Sequence, residues 1–308
     1  PKALTLRAGP GWTPTIVPPL KEAQVTVVQP GLETLRKAIN NAVSGSTLML
    51  ETGEYFLEKK IKVTKDITII GDIGGATIIA ANKNIAKPID YLFRVEEDVT
   101  FKLSHVFIDG KNSNLKYAIV SPDKLQGAGY NLFVDTVVFQ NFKNKKGGSV
   151  FKAYKGTKAD TLSFVNSRFE NNYRGLNLSY DNKNSGMFNA NFIIVKNSVF
   201  KNIEESAINY VRKIPNNMIS GGDLLVEHCV FYNVDNREKG KIIKADGIHR
   251  VKIVNSVFDN SYKIKTPIAL KGMSQQISNC LINNSGFIKI SQGARKSDLL
   301  YKSPKLEK

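Results

Sequence analysis

The residues of this sequence best suited to chemistry are basic side chains spread through its second half. A lysine held among other cations has a lowered pKa and can act as a base, while neighbouring cations can neutralise the carboxylate of a substrate. His249 lies in a polar segment between Lys244 and Arg250 and is a further substrate-binding candidate. We expect the basic candidates to form a cluster on one face of the fold; they are Arg174, Lys183, Lys196, Arg212, Lys213, Lys244 and Arg250. The alternative interpretation is that they are solvated charges on a lysine-rich surface.

Other common catalytic arrangements are missing from the sequence. It contains no His-Glu-x-x-His, Cys-x-x-Cys, P-loop or Gly-x-Ser-x-Gly motif, which argues against zinc proteases, phosphate-loop enzymes and α/β-hydrolases. A glycosidase needs paired carboxylates. Asp223 and Asp246 are the only acids in plausible positions, and neither has a second aspartate beside it.

The elements that carry the basic residues belong to a repeat. The phrase Asn-Ser-x-Phe-x-Asn and its variants return along the chain at intervals of 32, 30, 31, 31, 27 and 24 residues. Its anchors are Phe107, Phe139, Phe169, Phe200, Phe231, Phe258 and Ile282. Such a period indicates stacked repeats, and the alternating pattern rich in Val, Ile and Phe excludes helical ones. The units are too short for propeller blades.

We therefore predict an all-β fold, a right-handed parallel β-helix with three short strands per turn. The phenylalanines should stack inside it, and the final Asn of each phrase should turn the chain in the left-handed conformation. His228 falls at an Asn position, which favours a turn or core role. Cys229 and Cys280 share one inward column two turns apart, about 9–10 Å, too far for a disulfide.

Three regions are expected along the chain. Residues 1–28 are rich in proline and predict an extended lead-in or linker remnant. Residues 29–290 form the β-helix, and residues 291–308 form a C-terminal tail. Apolar side chains at helical spacing over 32–43, followed by Gly45, predict one short amphipathic helix that caps the solenoid.

The charge balance points to a polyanionic partner. The sequence has 44 Lys and Arg against 27 Asp and Glu, a net charge of +17, and such a field attracts acidic polysaccharides, anionic lipids or nucleic acid. No Arg-rich arm or long basic run is present, so we expect no nucleic-acid partner. No apolar stretch is long enough for a membrane span. We expect a monomer that is secreted, periplasmic or anchored at the cell surface, its signal or anchor lying before Pro1.

Two phrases near the N-terminus carry a family resemblance. The predicted helix is followed by Gly-Ser-Thr-Leu-Met-Leu-Glu-Thr-Gly-Glu-Tyr at 45–55 and by Ile-Thr-Ile-Ile-Gly at 67–71. This order resembles the N-terminal cap and first turns of pectate-lyase-like β-helix proteins. It is similar in particular to the alginate lyase and chondroitinase B group, and to related surface β-helix domains of Bacteroidetes.

The resemblance implies a lyase chemistry. In that group a lysine removes the C5 proton of a uronate, an arginine assists the leaving oxygen, and calcium held by two Glu and an Asn neutralises the carboxylate. Arg212 matches the arginine, and Lys196 matches the lysine in a shifted alignment. Without that shift, Asn182, Asn184 and Asn189 stand where the two Glu and the lysine are expected, and with it Asn189 and Asn191 replace the two Glu. We therefore predict no cofactor, and calcium only by resemblance.

These observations lead to one expectation with an open alternative. We expect a protein active on acidic polysaccharide, a lyase that cleaves uronate linkages by β-elimination. The alternative is a non-catalytic glycan-binding surface protein of a bacterial polysaccharide-utilisation system, and a third class is a structural or adhesive β-helix. The sequence leaves open whether the chain is an enzyme.

Overall fold

The chain folds as a right-handed parallel β-helix. The computed structural model describes residues 24–84, 87–111, 115–123, 128–154, 156–178, 190–211, 221–235, 241–261, 268–286, 288–290 and 295–302. Within these ranges it has one helix and 27 strands, and the paired strands run parallel to the equivalent strands one turn before and after them. None of its described helices is long and apolar enough to cross a membrane.

The strand pairings define three sheets, A, B and C, that the chain visits in turn. Sheet A contains β1 (Val25–Val28), β3 (Ser46–Leu50), β6 (Ile67–Gly71), β9 (Thr100–Ser104), β12 (Asn131–Asp135), β15 (Ala159–Val165), β18 (Ala190–Lys196) and β21 (Asp223–Glu227). Sheet B contains β2 (Gly31–Leu32), β4 (Gly53–Leu57), β7 (Thr77–Ala81), β10 (Phe107–Asp109), β13 (Val138–Gln140), β16 (Arg168–Glu170), β19 (Val199–Ile203), β22 (Val230–Val234) and β24 (Val257–Ser261).

Sheet C carries the site described below. It contains β5 (Ile61–Val63), β8 (Tyr91–Val95), β11 (Tyr117–Val120), β14 (Ser149–Ala153), β17 (Arg174–Leu178), β20 (Ser206–Val211) and β26 (Lys289–Ile290). Two long strands, β23 (Ile243–Val254) and β25 (Ile268–Ser285), begin in sheet C and continue through a corner into sheet A, and β25 runs on into sheet B. The last strand, β27 (Arg295–Lys302), pairs with β25.

The helix α1 (Thr34–Asn41) lies at the N-terminal end of the solenoid. It is shorter than the predicted 32–43, because Leu32 already belongs to β2 and pairs with β4. Leu35 and Ile39 are buried against the first turns. Strands β1 and β27 lie inside the ranges expected to be lead-in and tail, so the parallel pairing extends from Val25 to Lys302.

The predicted phenylalanine column is present in the interior. Ring centroids of Phe139 and Phe169 are 5.3 Å apart, those of Phe169 and Phe200 are 4.3 Å apart, and the column continues through Phe231 and Phe258 at 5.1 and 4.9 Å. These rings are fully buried. Each turn thus places its phenylalanine ring over that of the turn before. This stacking explains why Phe recurs at the same position of the repeated phrase.

The first predicted anchor of the repeat, Phe107, is wrong by one position. Phe139 pairs with Ile108, and Phe107 pairs with Val138. Ile108 is fully buried, whereas Phe107 is 37% exposed. Neighbouring residues of a strand point to opposite faces, so a shift of one position moves the side chain from core to surface. Ile108, not Phe107, therefore begins the column.

The turn positions behave as predicted. Asn171, Asn202 and Asn233 have φ of 55°, 55° and 53°. The side-chain amides of Asn202 and Asn233 donate to the Asn oxygen one turn earlier, at 3.1 Å and 2.7 Å. His228 also has a left-handed backbone, with φ 52°, and lies 3.3 Å from the Asn255 amide. Cys229 is a buried free thiol, as expected for the inward column.

Candidate functional site

The outer face of sheet C holds a column of polar residues on four consecutive turns. Lys152 pairs in register with Asn177, Asn177 with Asn209, and Asn209 with Lys244. The residues that precede them, Phe151, Leu176, Ile208 and Ile243, are fully buried. Because side chains alternate along a strand, the four polar residues point away from the core. We call Lys152, Asn177, Asn209 and Lys244 the lysine–asparagine column.

Lys152 has an altered ionisation. Burial, together with the nearby positive charge of Arg174, lowers the pKa of the Lys152 amine to about 8. An ammonium group loses hydration when it is buried, which favours its neutral form. At neutral pH the group is mostly charged, but it loses its proton at a pH where an ordinary lysine keeps it.

The two asparagines are joined to each other through their side-chain amides. Asn177 is only 6% exposed, and the amide of Asn209 donates to its side-chain oxygen at 3.2 Å. The side-chain oxygen of Asn209 is buried and has no hydrogen-bond partner among the described residues. A buried acceptor without a donor is costly, so this oxygen is an unsatisfied polar group of the column.

Arg174 lies beside the column but its charge is compensated. Its guanidinium donates to both carboxylate oxygens of Glu205, each at 2.8 Å, and lies 5.0 Å from the ring centre of Tyr173. A two-point arginine–carboxylate pair is a strong, well-oriented contact. We conclude that Arg174 holds Glu205 and Tyr173 in place and contributes to the field around Lys152.

The predicted basic cluster is divided between two sheets. Arg174 and Lys244 lie in sheet C, whereas Lys196 lies at the end of β18 and Arg250 in the sheet A part of β23. The expectation of one basic face is therefore wrong for these four residues, because the chain turns a corner between their strands. Lys183, Arg212 and Lys213 lie outside the described residues.

The sheet A candidates are held by acids. The Lys196 ammonium is 2.9 Å from a Glu227 carboxylate oxygen, and this contact lowers the pKa of Glu227. Arg250 binds Asp223 through its Nε at 2.9 Å, and His249 Nδ1 is 3.6 Å from the same carboxylate. His249 lies in β23 where this strand passes from sheet C to sheet A. The roles assigned to these residues stay predictions.

Sequence reasoning missed Lys152, Asn177 and Asn209. Their column has residues 152, 177, 209 and 244, so its spacing is 25, 32 and 35 positions. The segments between sheets B and C vary in length, and the side chains along the column differ in type. No constant period and no single residue type marks the column, and only the strand register brings it together.

Calcium, which the family resemblance implies, does not fit this face. Calcium takes six to eight oxygen ligands, mostly carboxylates. The column supplies two amides with a lysine at each end, and cations repel a metal ion. Among the residues that the structure describes, no group of three His, Cys, Asp or Glu could hold a metal.

Comparisons with known proteins give matches among solved structures. No protein-family model matches the chain, and no curated protein matches it. The PL6 family alginate lyase AlyGC superposes with a TM-score of 0.72 at 19% identity, covering 95% of this chain and 42% of that one. A mutant of the same enzyme gives 0.67 at 21% identity, covering 96% and 40%.

The chain therefore spans about two fifths of the length of these lyase chains. At 19–21% sequence identity, the similarity shows that the chains share a backbone fold. The protein has the pectate-lyase-like right-handed parallel β-helix fold of PL6 family alginate lyase.

Proposed function

We propose that the protein binds an acidic polysaccharide along the outer face of sheet C. The lysine–asparagine column carries this proposal. Equivalent positions on successive turns are about 4.8 Å apart, comparable with the length of one sugar residue. A glycan lying parallel to the solenoid axis can therefore offer a group to each turn. Carboxylates suit the two lysines, and hydroxyl groups suit the two amides.

Retardation in gels that contain an acidic glycan tests binding. We expect alginate, pectate, chondroitin or heparin to retard the protein and neutral dextran to leave it unaffected. Lys152→Met should lower the affinity for the acidic glycan about tenfold, which is the effect of losing one charge-assisted hydrogen bond. The matched control is Lys201→Met, an exposed lysine of sheet B, which should change binding less than about twofold. Absence of retardation by every acidic glycan would overturn the proposal.

A lyase activity on the same face is the second candidate, and the lowered pKa of Lys152 favours it. A base that is neutral near pH 8 can take the C5 proton of a bound uronate. The C5 electrons then form the C4–C5 double bond, the C4–O4 bond breaks, and the leaving oxygen takes up a proton. Arg212, the residue that the resemblance links to the leaving oxygen, lies outside the described residues.

The two candidates respond to pH in opposite directions. Binding of a carboxylate weakens as pH rises through about 8, because Lys152 loses its charge. Elimination accelerates over the same interval, because the neutral amine is the base. Ultraviolet absorbance of unsaturated uronates measures the reaction. An elimination rate that rises through pH 8 in the wild type and vanishes in Lys152→Met supports the lyase. Gel retardation without any increase in absorbance at any pH supports a binding protein without lyase activity.

A further inference from the structure

Three tyrosines adjoin the lysine–asparagine column, Tyr154 on the turn of Lys152 and Tyr91 and Tyr117 on the two turns before it. Tyr91 and Tyr117 pair in register on neighbouring strands of sheet C. The rings of Tyr117 and Tyr154 are 6.4 Å apart and nearly perpendicular, at 83°. Tyr154 follows Lys152 by two residues, so both side chains emerge on the same side of the chain. Tyr117 and Tyr154 are partly exposed, whereas Tyr91 is 4% exposed.

The face of Tyr91 is already in use. The Lys60 ammonium lies 5.0 Å from its ring centre, a favourable contact between a cation and an aromatic ring. The Tyr91 hydroxyl, however, is buried and finds no hydrogen-bond partner in the described part of the chain. Tyr117 and Tyr154 therefore supply the accessible aromatic surface, and Tyr91 supplies a hydroxyl that can still form a hydrogen bond.

The charges around the tyrosines are unlike those around the column. Burial, then Tyr117, Tyr91, Asp90 and Asp123, raise the pKa of the Tyr154 phenol to about 12. Two cations of this region are bound by these acids: Arg94 lies 2.6 Å from Asp123, and Lys116 lies 3.1 Å from Asp90. A carboxylate beside the Tyr154 phenol would meet the negative charge of Asp90 and Asp123.

We propose that Tyr117 and Tyr154 form a subsite for an uncharged sugar residue of the glycan whose acidic residues lie on the lysine–asparagine column. This rests on the proposed function and narrows the ligand to a mixed glycan, with acidic and neutral residues in one chain. A pyranose ring presents C–H groups on its face, and aromatic rings offer large, rigid contact areas with a polar tip. Asp90 and Asp123 disfavour a second negative charge beside the Tyr154 phenol, so an uncharged sugar fits this position better than a uronate.

Two polymers distinguish a mixed glycan from a uniformly acidic one. Polygalacturonate carries a carboxylate on every residue, whereas in hyaluronan glucuronate alternates with an uncharged amino sugar. We expect Tyr154→Leu, which keeps much of the side-chain volume, to weaken hyaluronan binding about tenfold and polygalacturonate binding less than about twofold. Tyr154→Phe keeps the ring and should retain hyaluronan binding. Lys152→Met should weaken the binding of both polymers.

Thermal unfolding separates a subsite from a packing role. If Tyr154 has only a structural role, Tyr154→Leu should lower the midpoint of thermal unfolding and weaken the binding of both polymers equally. That result overturns the subsite but leaves the proposed function standing. If Tyr154→Leu does not fold, Tyr117→Leu takes its place with the same expected result. Equal or absent effects of the tyrosine variants on the two polymers overturn the subsite. If the wild type binds neither polymer, the subsite is overturned, and the proposed function falls with it only if alginate, chondroitin and heparin also fail to retard the protein.

Discussion

At the scale of single residues, Lys152 links the site to stability. Its folded pKa is about 8, against an ordinary value of 10.5. Between these values the unfolded chain binds a proton that the folded chain has released. Stability therefore increases with pH in this window, because raising the pH disfavours the state that binds more protons, which is here the unfolded state. Below pH 8 the folded protein must hold a buried ammonium, which lowers its stability.

Urea unfolding as a function of pH tests this linkage. From pH 8 to pH 10 the free energy of unfolding of the wild type should rise by about 2 kcal/mol relative to that of Lys152→Met. The variant is the necessary reference because of Cys229. Burial raises the pKa of its thiol to about 11, which makes stability fall as pH rises, equally in the wild type and the variant. Parallel pH curves for the two proteins would show that Lys152 has an ordinary pKa.

Arg174 and Lys244 show why residue type alone is a poor guide to a site. Both belong to sheet C and both were predicted from their charge. Arg174 is bound at two points by Glu205, whereas Lys244 is exposed on the column. The difference depends on Glu205, which lies one turn away from Arg174 in space but 31 positions later in the sequence.

At the scale of elements, the phenylalanine column shows what the sequence can predict. A ring that stacks on the ring of the next turn must recur in the same strand position, and the turns need Asn for a left-handed backbone. Both demands repeat, so the fold can be read from the sequence. The site makes no such demand, because the strand register brings Lys152, Asn177 and Asn209 together without a constant spacing or a single residue type. The burial that shifts the Lys152 pKa also depends on neighbouring turns.

The stacked rings should carry much of the stability of the central turns. Phe200 lies between Phe169 and Phe231 with centroid distances of 4.3 and 5.1 Å. Phe200→Ala leaves a cavity between two rings and should lower the free energy of unfolding by about 3–5 kcal/mol. Phe192→Ala makes the same chemical change at a sheet A position that is 49% exposed, and should cost less than about 1 kcal/mol. Similar losses in the two variants would contradict the role of the column.

At the scale of the whole molecule, two sources of attraction for a polyanion compete. The net charge of +17 surrounds the protein with a positive field, which speeds encounter and weakens as salt screens it. The lysine–asparagine column instead offers groups in fixed positions at the spacing of the turns. A general field depends on the number of charges, whereas a site depends on where they lie.

Two double variants of equal charge separate these sources. Lys152→Met with Lys244→Met, and Lys102→Met with Lys201→Met, each lower the net charge from +17 to +15; Lys102 and Lys201 are exposed on sheets A and B. We expect the first pair to weaken acidic-glycan binding by more than about tenfold near physiological salt, because it removes both cationic ends of the column. The second pair should have a small effect that disappears as salt is raised. Equal losses in the two double variants, measured by gel retardation over a salt series, would mean that the field of the whole solenoid binds the polysaccharide and that sheet C has no special part in it.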